Sequence, residues 1–332
     1  MKLKVFFFLF LFSLNAFSFE LIAHRGVHQT FPREGIENET CTATRIEKTG
    51  HSYLENTIKS VEAAFNFGAD IVELDVHPTT EGNGAADELI VFHDWTLNCR
   101  TNASCQNGCN CNEKNECVTN KQSVHYLQSL DLGHGYSYDK GQTYFFRGNY
   151  VGLMPTFKDA LELLRKHPSK KLLVNVKGSF ERTGKAFLKN ISAYPETVRQ
   201  RLYYPESYGF KTELELAKVQ KDIIQGDKNC LKKYILVGWM GKFPEECRNK
   251  NIMIPIRETL ERFNSNLKGI MLTTVLWGWP HKFIKLAHAH GTKVYASQVD
   301  SVEEYEEMIK FPLDGIMTNK IEIIGPIHNQ IK

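Results

Sequence analysis

Long apolar runs are almost absent from these 332 residues; the one present spans Val5 to Leu14, behind Met1-Lys2-Leu3-Lys4. It is shorter than the roughly 20 apolar residues that cross a bilayer. Asn15-Ala16-Phe17-Ser18 follows, with small residues at Ala16 and Ser18 where a signal peptidase would cut. The pattern predicts a signal peptide over 1–18, removed after Ser18, and no integral membrane segment afterwards. Charge of one sign is also lacking: 41 Lys and Arg stand against 38 Asp and Glu, a net +3. The lysines are scattered among acids, so nothing resembles a nucleic-acid or other polyanion surface. Paired C-x-x-C spacings are missing, which argues against a zinc knuckle. Internal repeats are missing as well, which excludes a solenoid. No strongly hydrophobic loop suggests docking on a lipid surface.

What is present begins with eight cysteines, all beyond the signal peptide: Cys41, Cys99, Cys105, Cys109, Cys111, Cys117, Cys230 and Cys247. An even count in an exported chain predicts four disulfides, with the protein periplasmic or secreted. Four of the cysteines crowd into 105–117, a stretch rich in Asn, Ser, Gly and Lys that needs staples to be ordered. Cys230 and Cys247 suit a short local loop, and Cys41 with Cys99 would then tie two loops together. The pairing of the other four stays open.

Short apolar runs recur at 21–23, 71–76, 89–92, 172–176, 202–204, 235–237, 293–296 and 315–317, with 252–256 and 270–273 as further candidates. Near-continuous aliphatic runs suit parallel strands covered on both faces. Between them, 55–68, 155–164 and 283–291 read as helices, the first stopped by Gly68 and the third by Gly291. The alternation predicts an α/β protein, a (β/α)8 barrel in one domain over 19–332. Ten runs exceed eight staves, so some must be loop or helix. Insertions at about 27–53 and 96–150, following early strands and carrying cysteines, should shape the substrate entrance.

The chemistry concentrates at strand ends. In Ile71-Val72-Glu73-Leu74-Asp75-Val76, residues two apart share a face, so Glu73 and Asp75 point together. Two carboxylates buried side by side need a cation or cationic side chains. Asn175 and Lys177 share a face in the same way, and a buried lysine needs an anion. His24 and His93 each close an apolar run, and histidine is the side chain that titrates near neutrality. Two histidines with carboxylates for a hard cation are the components of a metal-assisted phosphodiesterase.

With these residues in view, the chain resembles the glycerophosphodiester phosphodiesterases. The likeness rests on His24-Arg25-Gly26, Glu55-Asn56-Thr57, Gly68-Ala69-Asp70, Glu73-Leu74-Asp75, His93-Asp94, Pro155-Thr156, Val176-Lys177 and Asp314-Gly315-Ile316-Met317-Thr318. The resemblance implies a TIM barrel that hydrolyses small-molecule glycerophosphodiesters to glycerol 3-phosphate and an alcohol, using a divalent cation, Ca²⁺ or Mg²⁺. It implies that His24 and His93 form the acid/base pair, Glu73 and Asp75 bind metal, and Arg25 and Lys177 contact phosphate. Glu55 would stand behind the ligands. Trp277-Gly278-Trp279-Pro280 is read as a local elaboration outside the family pattern, with Trp277 expected to line the substrate pocket. One departure is Asn175, where the family commonly has a glutamate ligand; an amide oxygen can coordinate the cation but adds no charge. A phospholipase acting on intact lipid and a secreted binding protein without turnover are the rival readings.

Overall fold

A computed structural model describes residues 19–32, 34–37, 40–80, 88–177, 180–205, 210–225, 227–256 and 278–331. The expected signal peptide, the 270–273 run and Trp277 lie outside the described residues.

Parallel strands form a barrel in the order β6-β5-β4-β2-β1-β10-β9-β8-β7. They are β1 (Glu20–His24), β2 (Ile71–Pro78), β4 (Lys171–Val176), β5 (Leu202–Tyr204), β6 (Gln220–Lys221), β7 (Ile223–Gln225), β8 (Asn251–Ile254), β9 (Lys293–Ala296) and β10 (Gly315–Thr318). Only Asp222 separates β6 from β7. The first half of this broken stave pairs with β5 and the second half with β8. Eight staves therefore close the circle, and one interior cluster takes one side chain from each: Ile22, Ile71, Leu173, Tyr203, Ile223, Met253, Tyr295 and Met317. Alternate residues such as Leu21, Val72, Val174 and Ile316 face outward into the larger core beneath the helices.

Local signals set the helices. Thr57 caps Ile58–Phe67 by accepting from the Ser60 amide, and Gly68 ends that helix at φ 109°. Thr156 and Asp159 form a capping box that starts Phe157–Lys166. The third expected helix is His281–Ala289.

Two strand expectations are corrected. The 235–237 run belongs to the helix Lys228–Val237, which Asp227 caps. Cys230 and Tyr234 are buried while Ile235 and Leu236 are exposed, a helical alternation that a three-residue apolar window does not reveal. The 89–92 run is no stave either: β3 (Leu89–Val91) pairs antiparallel with the far end of β2.

All eight cysteines pair, as Cys41–Cys99, Cys105–Cys111, Cys109–Cys117 and Cys230–Cys247. The long segments after β1 and β3 build a second apolar core, in which Ala43, Ile46 and Leu54 meet Leu97, Leu127 and Tyr150. Cys41–Cys99 ties these segments together across 58 residues. Among the described residues, no helix is long and apolar enough to cross a membrane.

Candidate active site

Strand register assembles the centre. β1 sets His24 beside Glu73, and β4 sets Asn175 beside Asp75. All four point into the barrel at the carboxyl ends of the strands, where barrel enzymes carry their chemistry. The chain then turns back on itself, with Arg25 at φ 58° and Gly26 at φ 81°. A Cβ on Gly26 would lie 2.6 Å from Ser60 Oγ, so only glycine fits there. This turn carries the Arg25 guanidinium over Asp75, with Nε 3.0 Å from Oδ2.

The two neighbouring carboxylates live differently. Asp75, wholly buried, is 3.4 Å from Lys177 Nζ and also accepts from the Asn56 and Asn175 side-chain amides at 3.0 Å each. Burial would raise its pKa, but Arg25 foremost among the nearby cations holds it well below the usual range. Glu73 is only 1% exposed, yet among the described residues neither of its oxygens has a hydrogen-bond partner. Burial and then the Asp75 charge push its pKa up. A buried, unpartnered carboxylate costs free energy unless a cation meets it. The donor set of Glu73, Asp75 and the Asn175 amide oxygen consists of oxygens, which suits a hard divalent ion.

His24 Nδ1 lies 2.7 Å from Asn319 Oδ1. Burial, then Arg25 and His28, lowers its pKa well below the ordinary histidine value, so the ring is neutral. His93 stands just beyond β3, its Nδ1 2.7 Å from Asp94 Oδ1. Asp94 in turn accepts from Arg100 Nε at 2.7 Å. Burial would raise the Asp94 pKa; Arg100 and the His93 hydrogen bond outweigh it and hold the group low.

Arg100 is a residue that sequence reasoning missed. It is 4% exposed, reaches Glu55 at 3.4 Å, and donates to the Tyr136 hydroxyl and to Thr42. Burial would raise the pKa of Glu55, and Arg100 with Arg25 instead brings it down to about 2. Ligand atoms of Glu55, His93 and Asp94 lie within 4.8 Å of one another. Arg100 offsets the charge of both carboxylates in this trio.

Two cavities flank Arg25 and Phe31. One, of about 210 Å³, holds His24, His28, Gln298 and Asn319. The other, of about 330 Å³, holds His93, Asp94, Trp95 and Arg100. The site thus gathers His24, Arg25, Glu55, Glu73, Asp75, His93, Asn175 and Lys177.

The model of the glycerophosphoryl diester phosphodiesterase family matches residues 24–323. The chain belongs to this family. It is accordingly a phosphoric diester hydrolase. A glycerophosphodiester phosphodiesterase of Caldanaerobacter subterraneus subsp. tengcongensis is 23% identical to it over 270 residues, 81% of this chain and 90% of the relative. Solved barrels agree in fold. A phosphodiesterase from Oleispira antarctica, in complex with the product sn-glycerol-3-phosphate, is 17% identical with a TM-score of 0.56, covering 94% of this chain and 98% of that one. A glycerophosphoryl diester phosphodiesterase domain from Mycobacterium tuberculosis is 14% identical with a TM-score of 0.59, covering 95% and 99%.

Proposed function

We propose that this diesterase is exported, binds a divalent cation and hydrolyses small glycerophosphodiesters to glycerol 3-phosphate and an alcohol. The observation that carries the reading is the placement of His24 and His93 on either side of Arg25, beside the unpartnered carboxylate of Glu73. Four disulfides support the exported location.

In this mechanism His24, neutral and with its Nε2 turned toward the centre, takes the proton from the attacking oxygen, that of a water or of a neighbouring substrate hydroxyl; attack by the hydroxyl gives a cyclic phosphate, which a water then opens to glycerol 3-phosphate. As the new P–O bond forms and the bond to the alcohol breaks, His93 delivers a proton to the departing oxygen. The alcohol therefore leaves through the cavity that holds His93. Arg25 and Lys177 offset charge on the phosphoryl oxygens, where electrostatic stabilisation acts most strongly. Glu73, with Asp75 and the Asn175 amide oxygen, would hold Ca²⁺ or Mg²⁺, which when bound polarises a phosphoryl oxygen as a Lewis acid. Glu55 steadies Arg25 from behind.

The test is release of glycerol 3-phosphate from glycerophosphocholine after chelation and after re-addition of each cation. Release that chelation abolishes and a cation restores is expected; no release with either cation would overturn the reading in favour of a binding protein. Cleavage of intact lipid is a second reading that draws on one surface feature. Leu236, Trp239 and Met240 are all exposed around the end of one helix, an apolar group the sequence did not announce. The same assay on phospholipid vesicles separates the two substrates.

A further inference from the structure

The hydrogen bonds behind His24 reach further than the family motifs. Asn319 follows the last residue of β10, and its backbone N–H donates to Asp300 Oδ1 at 2.7 Å. Its side-chain Nδ2 donates to Asp300 Oδ2 at 2.8 Å. Thr318 Oγ1 donates to the same carboxylate at 3.4 Å. Asp300 lies beyond the end of β9 and takes an independent hold by donating its own N–H to Glu304 at 2.8 Å.

This clamp removes an ambiguity that an amide normally carries. An Asn side chain can be turned over with little change in shape, but turning Asn319 would set its oxygen against the Asp300 carboxylate, two acceptors face to face. Nδ2 must therefore face Asp300, and Oδ1 must face His24. A carbonyl oxygen only accepts, so His24 Nδ1 must carry the proton that is donated across the 2.7 Å contact. In a neutral imidazole the other nitrogen then has the lone pair. That nitrogen, Nε2, lies 3.9 Å from Glu73 Oε2, too far for a hydrogen bond.

We propose that Asn319 and Asp300 are positioning residues that lock His24 in the tautomer with its basic Nε2 aimed at the attacking oxygen. The inference rests on the reading of His24 as the base. Neither residue touches the reacting atoms in this account. Asp300 fixes the amide, the amide fixes the ring, and the ring accepts the proton.

The experiment pairs kinetics with ¹⁵N NMR of histidine-labelled protein, using wild type, Asn319→Leu, Asp300→Asn and His24→Ala. Wild-type His24 should give the signature of a ring protonated at Nδ1. Asn319→Leu removes the acceptor, and Asp300→Asn lets the amide turn; in both the signature should shift toward the other tautomer. Partners that orient a histidine from behind are typically worth about 10- to 100-fold in activity, so kcat should fall by that factor with KM little changed. A fold defect would lower the melting temperature and the active fraction without moving the tautomer signal. If His24→Ala is inactive while both other variants keep wild-type kcat and tautomer, the positioning proposal is wrong and the base assignment stands. If His24→Ala stays active, the base assignment itself is wrong.

Discussion

His24 stands on a barrel stave and leans on an amide, whereas His93 stands beyond an antiparallel hairpin strand and leans on a carboxylate. An amide oxygen can orient a ring without adding charge beside it, which suits a group that begins neutral and accepts a proton. A carboxylate partner stabilises a ring that carries the proton to be given away. The supports differ in origin too. Asn319 directly follows a stave and Asp300 lies in the loop after another, while Arg100, which holds Asp94, comes from a segment tied down by Cys41–Cys99 next to it. In the proposed mechanism the barrel wall would serve one half of the reaction and the disulfide-bonded elaboration the other.

Replacing either histidine tests whether both halves matter. His24→Ala and His93→Ala should each lose roughly a hundredfold or more in kcat, the usual contribution of general acid/base catalysis. Melting temperatures measured beside the rates should stay close to wild type. A variant that keeps its rate ends the two-histidine scheme.

Arg100→Met attacks the His93 side through Asp94 and reaches Arg25 through Glu55. It leaves the buried Glu55 and the partly buried Asp94 without their shared cation, which should cost about 3 kcal/mol at pH 7 by denaturant unfolding. The sign of the pH dependence follows from Glu55, lowered from an ordinary 4.5 to about 2. A depressed carboxylate stabilises the fold above its unfolded pKa, and that contribution fades as pH falls through the folded one. The gap between wild type and Arg100→Met should therefore narrow from about pH 4.5 toward about 2. A gap of constant size would show that packing, not charge, is what Arg100 supplies.

The two loop-tying bridges offer a milder contrast. Losing Cys41–Cys99 by double Ser replacement should destabilise by about 2–4 kcal/mol and lower kcat, because Arg100 loses its anchored neighbour. Losing Cys230–Cys247 should cost similar stability and leave kcat unchanged. Equal kcat in both variants would disconnect the elaborated segments from His93.

The smallest effect is expected at Asn175, beside Asp75. Asn175→Glu adds charge to the proposed cation site and should lower the Ca²⁺ or Mg²⁺ concentration that restores half-maximal activity. Asn175→Leu should raise it, and it also removes one hydrogen bond from Asp75, worth about 1 kcal/mol. An unchanged cation requirement in Asn175→Leu would mean that the amide does not touch the ion.

Most of the stave side of the site was legible in the sequence, because a strand period of two places Glu73 with Asp75 and Asn175 with Lys177 whatever the rest of the chain does. The same rule applied to β10 pairs Met317 with Asn319 and would have found the partner of His24. Gln220–Gln225 was missed because Gln-Lys-Asp-Ile-Ile-Gln holds only two adjacent apolar residues. Arg100 had no such signal. Its role depends on a loop path set by a disulfide and a second apolar core, contacts that no local window contains.

The bond between His24 and Asn319 spans 295 residues of chain, since β1 has β10 as one of its neighbours. Contacts this distant in sequence carry a large loop-closure entropy and form slowly. The first stave to leave a ribosome must therefore wait for nearly the last before its histidine is held in place. On the proposed roles catalytic competence is then a late event in folding, and a chain stalled or cut short before Asn319 would carry the family's opening motifs with His24 unanchored.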